Sequence, residues 1–291
     1  MFLTGSTGFV GSTVLNEFSG LGIVKYKRGG KINMGNCKVV LHLAGKAHDQ
    51  KNTISRDEYY QINTELTKKV FDAFLNSEAS VFIFLSSVKA IADDIDGELT
   101  EDHVPNPITH YGKSKLLAEQ YILSKEIPSG KRVYILRPCM IHGPRNKGNL
   151  SLVYKLVSQG IPWPLGAFEN KRSFCSIENI MFIFKELIER EDIPSGVYNV
   201  ADDMPLSTNE IISILAASQN RNPRIWNISI VLIQIVAKIG NVLKLPLNEE
   251  RLHKLTDSYV VSNKKLINAI GKLLPVSSRE GLFKTFQSFQ K

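Results

Sequence analysis

Tyr111 and Lys115 stand four residues apart, a spacing that sets both side chains on one face of a helix. A phenol beside a cation is a candidate acid–base group. Its pKa is about 10 in water and falls toward neutrality only where positive charge stabilises the phenolate, which Lys115 is able to do. Upstream, Ser86-Ser87 closes the apolar run Val81 to Leu85. A serine at the end of such a strand is placed to hydrogen-bond a reacting hydroxyl or carbonyl oxygen. Tyr-x-x-x-Lys alone is a common helix surface, and its weight here depends on what precedes it.

What precedes it is a glycine-rich turn, Thr4-Gly5-Ser6-Thr7-Gly8-Phe9-Val10-Gly11, between a short apolar run and a helical pattern. Without Cβ atoms in the way, backbone N–H groups and a helix N-terminus approach a pyrophosphate closely. The spacing is Gly-x-x-Gly-x-x-Gly, not the Gly-x-Gly-x-x-Gly of dehydrogenases in general, and ordinary strand–helix packing is its bland alternative. After the second strand the chain reads Lys25-Tyr26-Lys27-Arg28, with no acidic residue for a ribose 2′-hydroxyl. An arginine there pairs with a 2′-phosphate, so Arg28 tilts a dinucleotide site from NAD toward NADP. A cationic nicotinamide would join Lys115 in depressing the Tyr111 phenol.

The elements that must carry these groups are legible as alternating patterns. Helical spacing runs over Phe9 to Phe18, Tyr59 to Leu75 and Tyr111 to Ser124; strands are expected at Phe2-Leu3, Ile23 to Tyr26, Val39 to Leu43, Val81 to Leu85 and Val133 to Leu136. Continuous β-branched and aromatic runs separated by helices predict a parallel sheet covered on both faces, a Rossmann-type doubly wound α/β fold. From about Pro144 prolines punctuate shorter, mixed segments. We expect a dinucleotide-binding domain over residues 1–144 and a smaller mixed α/β substrate lobe over 145–291, interleaved with the first.

Composition narrows the function classes. At 43% hydrophobic and 22% charged over 291 residues, the chain buries a full core, which excludes disorder and coiled coil. Cys37, Cys139 and Cys175 lie far apart without Cys-x-x-Cys or Cys/His spacing, against a disulfide scaffold or zinc site and in favour of a reducing cytosol. The net charge of +8 raises nucleic acid as a partner, yet the cations are dispersed and no recognition module is present; anionic small ligands account for it better. Ile228 to Leu247 is the most membrane-like stretch, but Gln234, Lys238, Asn241 and Lys244 interrupt it, so a buried or interfacial helix is expected, not a span.

Taken in order, Thr4 to Gly11, His42-Leu43-Ala44-Gly45, Asn63, Ser86-Ser87, Tyr111 to Lys115, Arg137-Pro138 and His142-Gly143-Pro144 resemble the extended short-chain dehydrogenase/reductases of the NAD-dependent epimerase/dehydratase group. The resemblance implies Ser87, Tyr111 and Lys115 as catalytic residues. It implies Gly5, Thr7, Gly8, Phe9, Val10, Gly11, Arg28, Ala44, Gly45 and Lys115 around a dinucleotide. The second lobe is similar to a UDP-hexose subgroup, 4-epimerases and 4-keto-6-deoxy-HexNAc 4-reductases, through Lys147-Gly148-Asn149, Pro162 to Gly166, Asn170 to Ser173 and Glu250-Arg251-Leu252. That implies Asn149, Gly166, Arg172 and Arg251 on a UDP-sugar, and a homodimer through a helix pair; no metal is expected, because the histidines lack ligand spacing.

Three departures from the pattern matter. The first strand is short, and Gly29 to Lys38 make a tight connection where relatives fit a longer one with an Asp near the adenine. Val88-Lys89 follow Ser87 where 4,6-dehydratases carry an Asp-Glu pair, so elimination lacks its proton carriers. Hydride transfer at C4 remains, in epimerase or ketoreductase form. A non-catalytic dinucleotide sensor on the same fold is the alternative from another class.

Overall fold

The computed structural model describes residues 1–46, 55–144, 150–243 and 248–290. In chain order its first half contains β1 (Phe2–Thr4), α1 (Phe9–Glu17), β2 (Val24–Lys25), β3 (Val39–His42), α2 (Arg56–Tyr59), α3 (Leu66–Leu75), β4 (Val81–Leu85), β5 (Glu98–Leu99), α4 (His110–Leu123), β6 (Arg132–Pro138) and β7 (Met140–His142). Then follow α5 (Leu150–Ser158), β8 (Phe174–Ser176), α6 (Ile177–Glu189), β9 (Gly196–Val200), α7 (Thr208–Ser218), α8 (Ile230–Leu243), α9 (Glu249–Thr256), β10 (Val260–Val261), α10 (Lys264–Ile270) and α11 (Ser278–Gln287).

Among the described residues six strands form one parallel sheet in the order β2-β1-β3-β4-β6-β9. Side chains alternate across it, as the period of two requires. Leu3, Leu41, Ile83 and Leu136 enter one core, packed with Ile177, Ile180 and Phe184 of α6. Phe2, Val40, Phe82, Phe84 and Ile135 enter the other, against Val70, Phe71 and Phe74 of α3 and Ala118 and Ile122 of α4. Both faces are therefore covered, which is why these strands read as unbroken apolar runs and not as alternating ones.

Strand β1 has three residues, all buried, and pairs with β2 on one side and β3 on the other. The strand order reverses there, and ligands of such sheets bind outside the carboxyl ends at the point of reversal. The tight connection after β2 adds no further strand; Met34 and Cys37 from it are buried in the second core.

Beyond residue 144 the chain returns to the sheet: α6 lies on one face, and β9 pairs with β6 from Tyr134↔Gly196 to Pro138↔Val200. The rest of this half packs around two smaller apolar clusters, one joining α5, α7 and α11 and one joining Trp163, Leu165, Ile212, Ile233, Ala237 and Leu252. Two short parallel ladders, β7 with β8 and β5 with β10, stitch the halves together.

Candidate active site

The glycine turn follows β1 at the point of reversal. Gly5 has φ of +72°, and a Cβ there would lie 2.7 Å from the Ala44 backbone. A Cβ on Gly11 would meet the Gly5 carbonyl oxygen at 2.1 Å. These two glycines are demanded by the fold itself. Gly8 is different: its φ is −77° and a Cβ would meet only ordinary contact at 3.4 Å. It is the N-cap of α1 and makes no side-chain cap, whereas Thr109, Ser176, Ser207 and Ser277 cap α4, α6, α7 and α11. The first turn of α1 thus presents backbone N–H groups at a glycine surface, an arrangement that suits a phosphate. Thr7 and Gly8 are exposed, Phe9 and Val10 half-buried.

A buried hydrogen-bond relay ties this turn to its neighbours. The Ala44 N–H donates to Thr4 Oγ1 at 3.0 Å, and Thr4 Oγ1 lies 2.7 Å from His42 Nδ1. On the other side His42 Nε2 lies 2.8 Å from Thr67 Oγ1, which donates to the Asn63 carbonyl at 2.7 Å. Because the Thr67 proton is committed to Asn63, His42 carries its proton on Nε2 and accepts from Thr4 at Nδ1. Burial, then the nearby Lys115 charge, lowers the His42 pKa to about 3, so the ring is a neutral strut. Asn63 sits in a wide helical turn over Tyr60–Glu65. Its side-chain amide accepts from the Lys46 N–H at 2.8 Å and donates to Ser114 Oγ at 2.9 Å.

Ser87, Tyr111 and Lys115 line one cavity of about 250 Å³, with Leu43, Gly45, Lys46, Leu85, Ser86, Pro138, Cys139 and Ile141. Thr109 caps α4 through the Gly112 N–H, which sets the first turn that carries Tyr111. Lys115 is buried and donates to the Leu85 carbonyl at 2.8 Å. A Cβ on Gly45 would stand 3.0 Å from Lys115 Nζ, so this exposed glycine keeps room for the lysine head. Beneath the cavity Arg137 forks onto Glu119, Nη2 to Oε2 at 2.7 Å, and the Ser86 hydroxyl bonds the same carboxylate; all three are buried.

The electrostatics depart from the sequence reading in one respect. Lys115 was expected to pull the Tyr111 phenol down. In the structure the Tyr111 pKa is raised: burial dominates, a hydrogen bond from Ser87 opposes it, and Tyr59 adds to it. Lys115 is itself lowered to about 8, by burial first, with Glu119 opposing. Desolvation outweighs the pairing because the lysine head is directed at a backbone carbonyl inside the protein.

The remaining expected contacts are scattered. Arg28 is exposed just past β2, at the carboxyl edge of the sheet that also carries the Gly5 turn. Arg172 is half-buried and donates from Nε to the Asp257 carbonyl at 2.7 Å; its charge reaches Lys89, whose pKa burial lowers first, with Asp93 opposing. Gly166 is required by packing, since a Cβ would lie 2.3 Å from Asn227 Oδ1. Arg251 is exposed on α9. Asn149, Lys147 and Gly148 lie outside the described residues. Sequence reasoning passed over Lys46, which lines the cavity and pairs with Glu58 at 2.7 Å; its only signal was adjacency to Gly45. His110 bonds Tyr60 at 3.3 Å, and Trp163 is buried in the lobe. Among the described residues no cluster of His, Cys, Asp or Glu fits a metal ion.

Known proteins match this arrangement along its length. UDP-glucose 4-epimerase of Vibrio cholerae is 28% identical over 324 residues, spanning 99% of this chain and 95% of its own. N-acetyl-alpha-D-glucosaminyl-diphospho-ditrans,octacis-undecaprenol 4-epimerase of Escherichia coli O157:H7 is 27% identical, over 76% of this chain and 72% of its own. The crystal structure of UDP-N-acetylglucosamine 4-epimerase from Bacillus cereus superimposes with a TM-score of 0.77 at 17% identity, covering 100% of this chain and 99% of that one. The sequence model of the NAD dependent epimerase/dehydratase family matches residues 28–201, more than half of the chain, and the protein belongs to that family.

Proposed function

We propose that the protein transfers hydride at C4 of a UDP-hexose, as a 4-epimerase or 4-ketoreductase, with Ser87, Tyr111 and Lys115 as its catalytic residues. The observation that carries this reading is their convergence on one cavity at the carboxyl end of the sheet, beside a helix N-terminus with a glycine cap. Gly5, Gly8, Gly11, Ala44 and Gly45 would hold the dinucleotide, and the uncapped first turn of α1 fits its diphosphate. When bound, the nicotinamide supplies the hydride acceptor and donor, and in its oxidised form a positive charge.

Ser87, bonded to the phenol in the ligand-free chain, would turn its one hydroxyl proton to the C4 oxygen and orient it. Tyr111 moves the proton: it takes the C4 hydroxyl proton when C4 is oxidised and returns it to the C4 oxygen when the ketone is reduced. Lys115 holds its charge behind the phenol. In an epimerase both half-reactions occur in one site and the 4-keto sugar is reduced on its other face. The names of the two sequence relatives support this form. The ketoreductase form is a second reading, favoured by Arg28, which suits NADPH.

Arg172 and, past the described residues, Asn149 are the proposed diphosphate contacts of the sugar nucleotide, with Gly166 and Arg251 as further ones. The carrier is uridine in this reading. The E. coli relative's name specifies a polyprenol instead, and the exposed apolar helix α8 favours testing that carrier too. A homodimer across α4, where Leu117 and Leu123 are exposed, and a cytosolic location complete the proposal.

The test is turnover of UDP-glucose, UDP-GlcNAc, a UDP-4-keto-6-deoxy-HexNAc and a polyprenyl-diphosphate GlcNAc, each with and without NADPH. Epimer formation without added reductant supports the epimerase. NADPH consumption only with the keto sugar supports the reductase. No turnover of any of them, with Tyr111→Phe binding dinucleotide like the parent, overturns both and leaves a sensor.

A further inference from the structure

Helix α8 is apolar nearly all round: Ile-Val-Leu-Ile-Gln-Ile-Val-Ala-Lys-Ile over residues 230–239. A helix of that composition belongs in a protein interior, yet among residues 230–241 only Ile233, Ala237 and Gly240, one narrow stripe, are buried against the lobe. Val231 is 63% exposed, Leu232 52%, Ile235 49% and Ile239 49%. At 100° per residue, Val231, Leu232, Ile235, Val236 and Ile239 share the outward arc, while Gln234, Lys238 and Asn241 form a separate polar stripe along its flank. Trp226, 56% exposed, stands just ahead of the helix. Scattered exposed apolar residues need no explanation; a contiguous set on one helix does.

The charge around this face indicates what covers it. From Ile211 to Asn248 the sequence has no aspartate or glutamate, and the cations among its described residues are Arg221, Arg224 and Lys238. The nearest carboxylate along the chain, Glu249 on α9, is bonded by Asn241. A second copy of the chain placed face to face would bring these cations against their own counterparts with no acid from the segment to pair them, which disfavours self-association here. An anionic lipid surface satisfies both features, accepting the apolar arc among its acyl chains and the cations among its headgroups, with tryptophan at the boundary. Fourteen residues make a helix about 21 Å long, short of the roughly 30 Å hydrocarbon core, and no described helix is long and apolar enough to cross a membrane.

We infer that α8 is an interfacial helix that lies in the plane of an anionic membrane and holds the enzyme on its surface. The inference stands apart from the C4 chemistry, because binding is read without turnover. The experiment is flotation of the purified full chain with phosphatidylcholine vesicles, with and without roughly 30% phosphatidylglycerol. The parent is expected to float with the anionic vesicles at least about fivefold more than with the neutral ones, and to be released as salt rises. Ile235→Gln with Ile239→Gln should reduce flotation about fivefold or more, with circular dichroism and thermal midpoint close to the parent's. Arg221→Gln with Arg224→Gln should remove the preference for anionic lipid while leaving the fold intact. A parent that stays at the bottom of the gradient with anionic vesicles overturns the inference. So does flotation that the Ile235/Ile239 variant retains in full. If the parent does not float but sediments as a dimer that this variant dissociates, the face belongs to a second copy.

Discussion

At the carboxyl end of the sheet the buried groups are polar and mutually bonded: His42, Asn63, Ser86, Lys115, Glu119 and Arg137 lie below 9% exposure and each has a partner inside the protein. On the outer side of α8 the exposed groups are apolar and in contact with solvent. Each region inverts the usual distribution, and in each the inversion has a cost that a function explains. Burying ionic groups is expensive unless they are paired, and here the expense holds a phenol, a hydroxyl and an ammonium group around one cavity. Exposing isoleucine and valine forgoes hydrophobic stabilisation, which contact with a lipid surface would recover. The first region acts through positions specified by hydrogen bonds, the second through area and charge that tolerate imprecise placement.

That contrast can be broken or sharpened by measurement. The largest effect is expected for Tyr111→Phe, which removes the proposed proton carrier but little volume: turnover should fall about a thousandfold or more with the thermal midpoint almost unchanged. A variant that keeps a tenth of parental activity would mean the cavity is not the reacting site. Next, Glu119→Ala leaves the Arg137 charge buried and unpaired, and should cost about 3–5 kcal/mol in urea unfolding. Substitution of exposed Ile235 by Gln should change stability by under about 0.5 kcal/mol.

Lys115 supplies a pH test. Its folded pKa is about 8, below the 10.4 or so of an unfolded lysine. Burying the charge therefore costs the full penalty, on the order of 3 kcal/mol, below pH 8. Between pH 8 and about 10.4 the unfolded chain binds more protons, so the penalty fades as pH rises. Lys115→Met should accordingly gain stability relative to the parent at pH 7 and lose that relative gain toward pH 10, read as the difference in thermal midpoint. A difference that does not vary with pH would show that the ammonium is not desolvated. At the cofactor end, Arg28→Ala should raise KM for NADPH about tenfold and leave NADH unaffected. Equal effects on both would overturn the proposed preference for the phosphorylated cofactor.

Much of this was open to a reader of the sequence. The apolar runs at Val39 and Val81 gave away covered parallel strands, and Tyr111, Lys115 and Ser87 were recognisable because four-residue helical spacing and strand ends are local properties. The turn at Gly5 was legible for the same reason, but not that Gly5 and Gly11 answer to packing while Gly8 leaves a bare helix end. Those distinctions come from atoms 39 residues apart in the chain, as with Gly5 and Ala44. The role of His42 as a buried strut between Thr4 and Thr67 has no sequence signature. The expected depression of the Tyr111 phenol was reversed because spacing reports proximity but not desolvation. Ile228 to Leu247 was readable as buried or interfacial; only the packing of Ile233 and Ala237 shows which side of α8 faces out.

By itself, then, the sequence determined the fold class, the catalytic side chains to consider and the family they resemble, because periodicity, turn chemistry and short motifs are set by residues within a few positions of one another. Tertiary structure alone decided the strand order that reverses at β1, the relay from Thr4 to Asn63, the protonation of the cavity and the outward face of α8. Each of these depends on which distant segments exclude water from one another, and burial is a property of the assembled chain that no single stretch of it contains.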